Sequence, residues 1–286
     1  ENLGFGVGIS HDGPGYHIRG LDPFDNKEQL DMIQDLWQRL YPKGRISFNV
    51  MMHKHNQSKS QVVDWFKLRL NYDPPIGEGG FIDPYDEGGK ASCLDSYEEH
   101  INYRVNAFAD IRNGKTGRFG IVERKIKDFI KSIITNRPAS SLVQKCGMDD
   151  AQKIAVDLKG NVLTCQNESA VATSFNGESH KIGHVSDFEN IKLKTATHHS
   201  KRDECPTCPV LQLCHGSCMF LEGDYWKLAC NNSYSDNIPY FIAAFEILTG
   251  HLPYYIDGNI EENRKDILGS VHGVQPTKKV IPITAI

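Results

Sequence analysis

Over the first 92 residues, apolar and polar positions switch repeatedly between the period of a strand and that of a helix. Phe5 to Ser10 is a short apolar run that predicts a strand, closed by the polar turn His11-Asp12-Gly13-Pro14. From Asn26, a candidate N-cap, Leu30, Ile33, Trp37 and Leu40 recur on one helical face. Pro42 and Gly44 stop that helix. Arg45 to Met52 is rich in strand formers, Ser58 opens a second helix carrying Val62, Trp65, Phe66 and Leu70, and Ile76 to Ile82 predicts a third, glycine-broken strand. Strand, helix, strand, helix, strand is the order of parallel α/β units.

From Leu94 to about Asn136 the pattern is helical twice, with stripes at Ile101, Val105, Phe108 and Ile111, then at Ile126, Phe129, Ile130 and Ile133. Pro138, Ser140 and Ser141 read as a linker. Lys153 to Leu158 and Asn161 to Cys165 predict a hairpin around Lys159-Gly160. Glu204 to Cys230 leaves little room for regular structure. A last helix is expected from about Asp236 to Leu248, stopped by Gly250. The final 36 residues read as a tail packed over the domain or partly mobile.

Composition narrows this picture. The 286 residues carry 32 basic and 36 acidic side chains, a net charge of -4, which argues against a sequence-independent grip on nucleic acid. Apolar residues at 39% and charged residues at 24% give a globular balance. Stretches such as Tyr240 to Leu248 are too short to span a bilayer. No export signal is visible, so the expected compartment is the reducing cytoplasm, where clustered cysteines bind metal more often than they form disulfides.

Eight cysteines are distributed unevenly: Cys93 stands alone, and the other seven lie between positions 146 and 230. They form C-x13-G-x4-C, from Cys146 through Gly160 to Cys165, then C-x2-C-x5-C-x3-C from Cys205 through Cys208 and Cys214 to Cys218, then Cys230. Thiolates are soft anionic ligands for zinc and iron-sulfur clusters, and two cysteines separated by two residues reach one centre from a single turn. Spacing alone leaves zinc and iron-sulfur open.

These seven cysteines resemble the SPASM domain, the carboxy-terminal extension of radical S-adenosylmethionine enzymes, element for element and in order. The resemblance implies two auxiliary 4Fe-4S clusters: Cys146, Cys165 and Cys218 at the first, and Cys205, Cys208, Cys214 and Cys230 at the second. The first then lacks a fourth cysteine, with Asp149, Asp150, Cys93 or an open iron as the candidates. Ser10-His11-Asp12-Gly13-Pro14, with His17 and Arg19, is similar to the stretch after the fourth strand of the radical S-adenosylmethionine barrel. That similarity casts Ser10, and with it Asp12 and Arg19, as cofactor contacts. Arg45 to Asn56 resembles the fifth strand. Where sulfatase-maturing relatives carry an aspartate base, this chain has Gln166, so that role does not transfer.

The implied fold is α/β: the second half of a radical S-adenosylmethionine β/α barrel over residues 1–92, a helical bridge over 93–145, a small cysteine-rich α+β SPASM unit over 146–249 and a tail over 250–286. The C-x3-C-x2-C triad of the radical-generating cluster is absent from the chain. S-adenosylmethionine and a third 4Fe-4S cluster are therefore expected only with an amino-terminal half, in the same or a partner chain, and this chain alone is expected to be inactive. The implied substrate is a peptide or protein. A non-catalytic iron-sulfur scaffold subunit and a zinc recognition module are the alternatives.

Overall fold

The computed structural model describes residues 4–78, 80–117, 119–137, 144–145, 150, 152–168, 170–171, 173, 177–192 and 197–272. The reading of 138–141 as a linker, Cys146, Asp149 and the end of the tail lie outside them.

Three parallel strands form the first sheet: β1 (Val7–Ser10), β2 (Ile46–Asn49) and β3 (Ile76–Glu78), in that spatial order. Helix α1 (Lys27–Leu40) connects the first two and α2 (Lys59–Leu70) the next two. The helices begin where the side chains predict, since Asn26 accepts from the Gln29 N–H at 3.1 Å and Ser58 from that of Gln61 at 3.2 Å. Gly44 closes the segment after α1 at φ 64°.

Strand alternation decides the faces of this sheet. Ile46, Phe48 and Ile76, with Val7 and Ile9, pack against Trp37, Phe66 and neighbouring helix residues in the main core. The opposite face carries Gly8, Ser10, Ser47, Asn49 and Gly77, which are small or polar. Gly8 lets the Asn49 side chain lie close over the strand, since a Cβ there would stand 2.7 Å from Asn49 Nδ2. Phe119 adds a parallel bridge beside Ile76.

The middle of the chain is helical: α3 (Glu87–Ser92), α4 (Tyr97–Arg112) and α5 (Gly120–Ile134). Helix α4 opens with a reciprocal Ser96/Glu99 capping box. The predicted stripe of α4 is rotated. Tyr103, Arg104, Ala107, Phe108 and Asp110 are its buried positions, while Ile101, Val105 and Ile111 are half-buried. Polar groups fill part of the face that apolar periodicity would assign to the core.

The predicted hairpin is present but short: β4 (Ala155–Val156) pairs antiparallel with β5 (Asn161–Leu163). Asp157 Oδ1 accepts from the N–H groups of Lys159 and Asn161 in its turn. A third strand, β6 (Lys181–His184), completes the sheet on the other side of β5 and was not expected from the sequence.

The largest correction concerns the end of the chain. After the one-turn α6 (Leu211–Cys214), helix α7 runs over Gly223–Thr249, beginning well before Asp236 and carrying Cys230. Its buried face includes Asn232, Ser233, Ser235, Asp236 and Asn237 as well as Pro239. A helix that buries hydrogen-bonded polar side chains has little apolar periodicity to read. Beyond it, a 3-10 turn at Glu262–Arg264 and α8 (Ile267–His272) pack back, with Ile267 and Val271 in a core with Tyr234 and Ile238. No described helix is long and apolar enough to cross a membrane.

Candidate metal and cofactor sites

The cysteine segment folds around two backbone devices. The Cys208 N–H donates to Cys205 O at 3.1 Å, and those of Cys214 and His215 donate to Val210 O and Leu211 O at 2.8 Å each. The chain then turns through three successive left-handed residues, His215, Gly216 and Ser217, at φ 57°, 79° and 50°. Gly216 could carry no side chain, since its Cβ would lie 2.4 Å from that of His199. The reversal separates the environments of Cys214 and Cys218 although only three residues lie between them.

On one side, Cys205, Cys208, Cys214 and Cys230 line a single small cavity with Trp226 and Tyr234. Burial pushes the Cys205 thiol up to about 12, reinforced by Cys230, Cys214 and Cys208, and burial pushes Cys208 up to about 11. A guanidinium already faces them: Arg264, 4% exposed, donates from Nη2 to Cys230 Sγ at 3.3 Å and from Nη1 toward Cys208 Sγ at 3.9 Å.

On the other side, Cys218 and Cys165 both approach Tyr85. Burial and then Asp83 push the Cys218 thiol up to about 11. Asn167 links the pair, its N–H directed at Cys165 Sγ at 3.4 Å and its carboxamide donating to Tyr85 Oη at 3.4 Å. Asp83 holds the floor, accepting from Ser217 Oγ at 3.0 Å and from Lys145 Nζ at 2.8 Å.

Among the described residues, no three His, Cys, Asp or Glu side chains could hold a metal ion. An all-thiol set spread around a cavity differs from a single-ion site, where ligands converge to about 2.3 Å. The donor set is four cysteine sulfurs, Cys205 buried and Cys208, Cys214 and Cys230 half-buried, with a buried guanidinium against two of them, a set whose chemistry fits a thiolate-held cluster.

Of the residues offered as a fourth ligand, Cys93 and Asp150 fall among the described residues. Cys93, 1% exposed, points its thiol at Ile82 O at 3.9 Å, and burial then Asp83 push it up to about 12. Asp150 is engaged by the Gln152 N–H and Lys153. No disulfide joins Cys93, Cys205, Cys208, Cys214, Cys218 or Cys230.

The three cofactor candidates separate. Ser10 is exposed at the end of β1, on the small polar face opposite Asn49. Asp12 is fully buried, its carboxylate accepting from Arg19 Nε and Nη2 and, at 2.9 Å, from the Met51 N–H. Asn56 spans the same strand ends, donating to Asp12 O and Met51 O at 2.9 Å each. Asp12 and Arg19 thus brace the ends of β1 and β2. His53 and His55 lie beside this brace, with ring centroids 5.7 Å apart. Gln166 is exposed.

Tyr85, Asn167 and Arg264 were not found from the sequence. Tyr85 sits between two engaged aspartates, Asp83 tied to Lys145 and Ser217, and Asp86 capping α3 by accepting from the Gly89 N–H. Arg264 lies in the tail, where only Glu261 three residues earlier hints at an ion pair.

A second, larger cavity of about 380 Å³ opens beside the cysteine segment, between the end of β3, α5 and α7, with Lys125, Lys145, His215 and Asp236 in its wall.

No protein-family model and no curated protein matches the chain. Among solved structures, native anSMEcpe with bound AdoMet matches at 19% identity and a TM-score of 0.50, covering 87% of this chain and 70% of that one. A hexahistidine-tagged form of anSMEcpe with bound AdoMet matches at 20% identity and 0.48, covering 87% and 69%. Native anSMEcpe with bound AdoMet and the Cp18Cys peptide matches at 19% and 0.46, covering 86% and 71%. The first of these likenesses shows that the chain has a fold like that of a radical S-adenosylmethionine SPASM enzyme.

Proposed function

We propose that this chain is the carboxy-terminal part of a SPASM-type radical S-adenosylmethionine enzyme that modifies a peptide or protein substrate. The observation that carries the reading is the division of the described cysteines. Cys205, Cys208, Cys214 and Cys230 line one cavity, and Cys165 and Cys218 are not among its lining residues. Resemblance to the SPASM pattern assigns those same residues to two different 4Fe-4S clusters, and the spacing of the cysteines is independent of the walls of the cavities.

In this reading, thiolate-held clusters supply one-electron transfer when bound. The chain's own residues do three things there. The left-handed turn at His215-Gly216-Ser217 directs Cys214 and Cys218 to separate sites. Trp226, Leu221 and Leu211 pack with Cys205 and Cys230 and cover part of the second set of sulfurs. The polar strand-end face with Ser10 offers room for the amino acid and ribose parts of S-adenosylmethionine. Residues 1–92 supply the second half of the barrel, 93–145 a bridge, 146–249 the cluster unit and 250–286 a tail. The radical-generating triad comes from an amino-terminal half, and the complete protein acts in the cytoplasm.

A second reading, a non-catalytic iron-sulfur subunit that docks a partner, draws on one feature. Among the described residues β1 pairs with β2 alone, and its other edge can accept a strand.

Anaerobic purification followed by iron and acid-labile sulfide assay tests the cluster reading. About eight irons with matching sulfide per chain are expected for two 4Fe-4S clusters. Zinc without sulfide would overturn it in favour of a recognition module. Adding an amino-terminal half that carries C-x3-C-x2-C, and assaying S-adenosylmethionine cleavage, then separates enzyme from scaffold.

A further inference from the structure

Arg264 stands outside the cysteine run, yet it is 4% exposed and packed against two of its members. Its Nη2 donates to Cys230 Sγ at 3.3 Å and to Asn231 Oδ1 at 3.1 Å, and its Nη1 points at Cys208 Sγ from 3.9 Å. Its Nε lies 3.2 Å from Glu261 Oε2, and the side chain of that carboxylate is 48% exposed. The guanidinium carbon lies 4.7 Å from the centroid of Tyr234, a wall of the same cavity, and the Tyr234 hydroxyl donates to Arg264 O at 3.1 Å. Contacts on every side therefore fix the side chain in one orientation.

A buried cation requires nearby negative charge; Glu261 supplies one at Nε, and neutral thiols are weak acceptors for the two nitrogens that face the cysteines. Two guanidinium nitrogens aimed at two different cysteines of one set is an arrangement that suits sulfurs carrying charge. Net charge and hydrogen bonds to the sulfurs are the levers by which a protein sets the potential of a thiolate-held cluster. The reduced form holds one more negative charge, so a fixed cation with N–H donors on the sulfurs favours it over the oxidised form.

We infer that Arg264 is a positioning residue that raises the reduction potential of the cluster held by Cys205, Cys208, Cys214 and Cys230. This rests on the reading of those cysteines as cluster ligands, and the experiment keeps the two apart. Iron and sulfide are measured first on the wild-type chain; without both, the underlying reading fails and Arg264 is not at issue. With clusters present, an anaerobic redox titration followed by electron paramagnetic resonance compares wild type, Arg264→Gln and Arg264→Lys.

The expected result is that one of the two midpoints moves to lower potential in Arg264→Gln by at least a tenfold change in the oxidised-to-reduced ratio, about 59 mV for a one-electron couple. Arg264→Lys, which keeps the charge and loses the two-pronged donation, falls between. Unchanged midpoints in Arg264→Gln overturn the proposal. If that variant does not assemble its cluster, Arg264→Lys decides: a smaller shift to lower potential supports the proposal and an unchanged midpoint overturns it. If neither assembles it while their far-ultraviolet circular dichroism stays native, Arg264 serves cluster retention and the potential-setting role is overturned.

Discussion

The carboxamide of Asn232 and the peptide group of Leu94 form a reciprocal pair, with the Leu94 N–H donating to Asn232 Oδ1 at 2.9 Å and Asn232 Nδ2 donating to Leu94 O at 3.0 Å. Asn232 is 1% exposed and sits two residues after Cys230 on α7, while Leu94 is fully buried just before α4. The pair therefore ties the cysteine-bearing helix to the segment that follows the parallel sheet. Asn232→Ala leaves both backbone groups of Leu94 buried without that partner, an expected loss of about 2 to 6 kcal/mol at about 1 to 3 per group. Urea unfolding followed by circular dichroism checks this, and a loss below about 0.5 kcal/mol would show that water or another group replaces the side chain.

Asp236 is the anion of a buried charge cluster. It accepts from Tyr103 Oη at 2.7 Å and lies 3.6 Å from Lys59 Nζ and 3.3 Å from Lys125 Nζ. Burial alone pushes its carboxyl up, but Lys125 and Lys59 outweigh burial and hold it below the usual range. Lys59 is 1% exposed, so Asp236→Asn strands a buried cation and should cost about 3 to 5 kcal/mol. Adding Lys59→Met to that variant should recover part of the loss, because the stranded charge is removed with its partner. A double-mutant cycle by denaturant unfolding reads the coupling.

His53 is buried as the neutral imidazole. Its Nδ1 accepts from the His55 N–H at 3.1 Å and its Nε2 lies 4.0 Å from Asp12 Oδ2. Burial holds it down at about 4; Asp12 opposes this, and His55, His17 and Arg19 add to it. The unfolded chain takes up a proton near 6.5 and the folded chain near 4, so between these values the unfolded state binds more protons. Stability from this group is complete above about pH 6.5 and is lost as pH falls toward 4, on the order of 3 kcal/mol in all. His53→Gln should flatten that part of a plot of Tm against pH, measured by calorimetry; an unchanged slope would place the titration elsewhere.

The two cysteine environments predict separable metal loss. Cys214→Ala should lower iron from about eight to about four per chain while sparing the site at Cys218, and Cys218→Ala should do the reverse. Their distinct electron paramagnetic resonance signals should each survive in the other variant. Loss of all iron in either single variant would mean that the sulfurs form one interdependent centre.

Much of this was legible along the chain. The β-α-β-α-β order, the caps at Asn26 and Ser58, the stop at Gly44 and the turn at Gly160 were readable because each depends on side chains within four residues of the backbone they serve. The spacing of the seven cysteines marked them as candidate metal ligands, while their division between two sites came from the resemblance to the SPASM pattern and not from spacing.

What tertiary structure alone decided are the long-range partners. Helix α7 was misjudged in its start because its buried face is polar, and Asn232, Ser233 and Asp236 are satisfied by Leu94, Ser217, Lys59 and Tyr103 from far along the chain. Tyr85 reaches Cys165 and Cys218, and Arg264 reaches Cys208 and Cys230, from distant parts of the sequence. No periodicity encodes such meetings. The sequence determined which residues could bind metal and which helices and strands would carry them. Packing decided which charges and hydroxyls came to rest against the sulfurs, because burial makes a partner obligatory without specifying where in the chain it comes from.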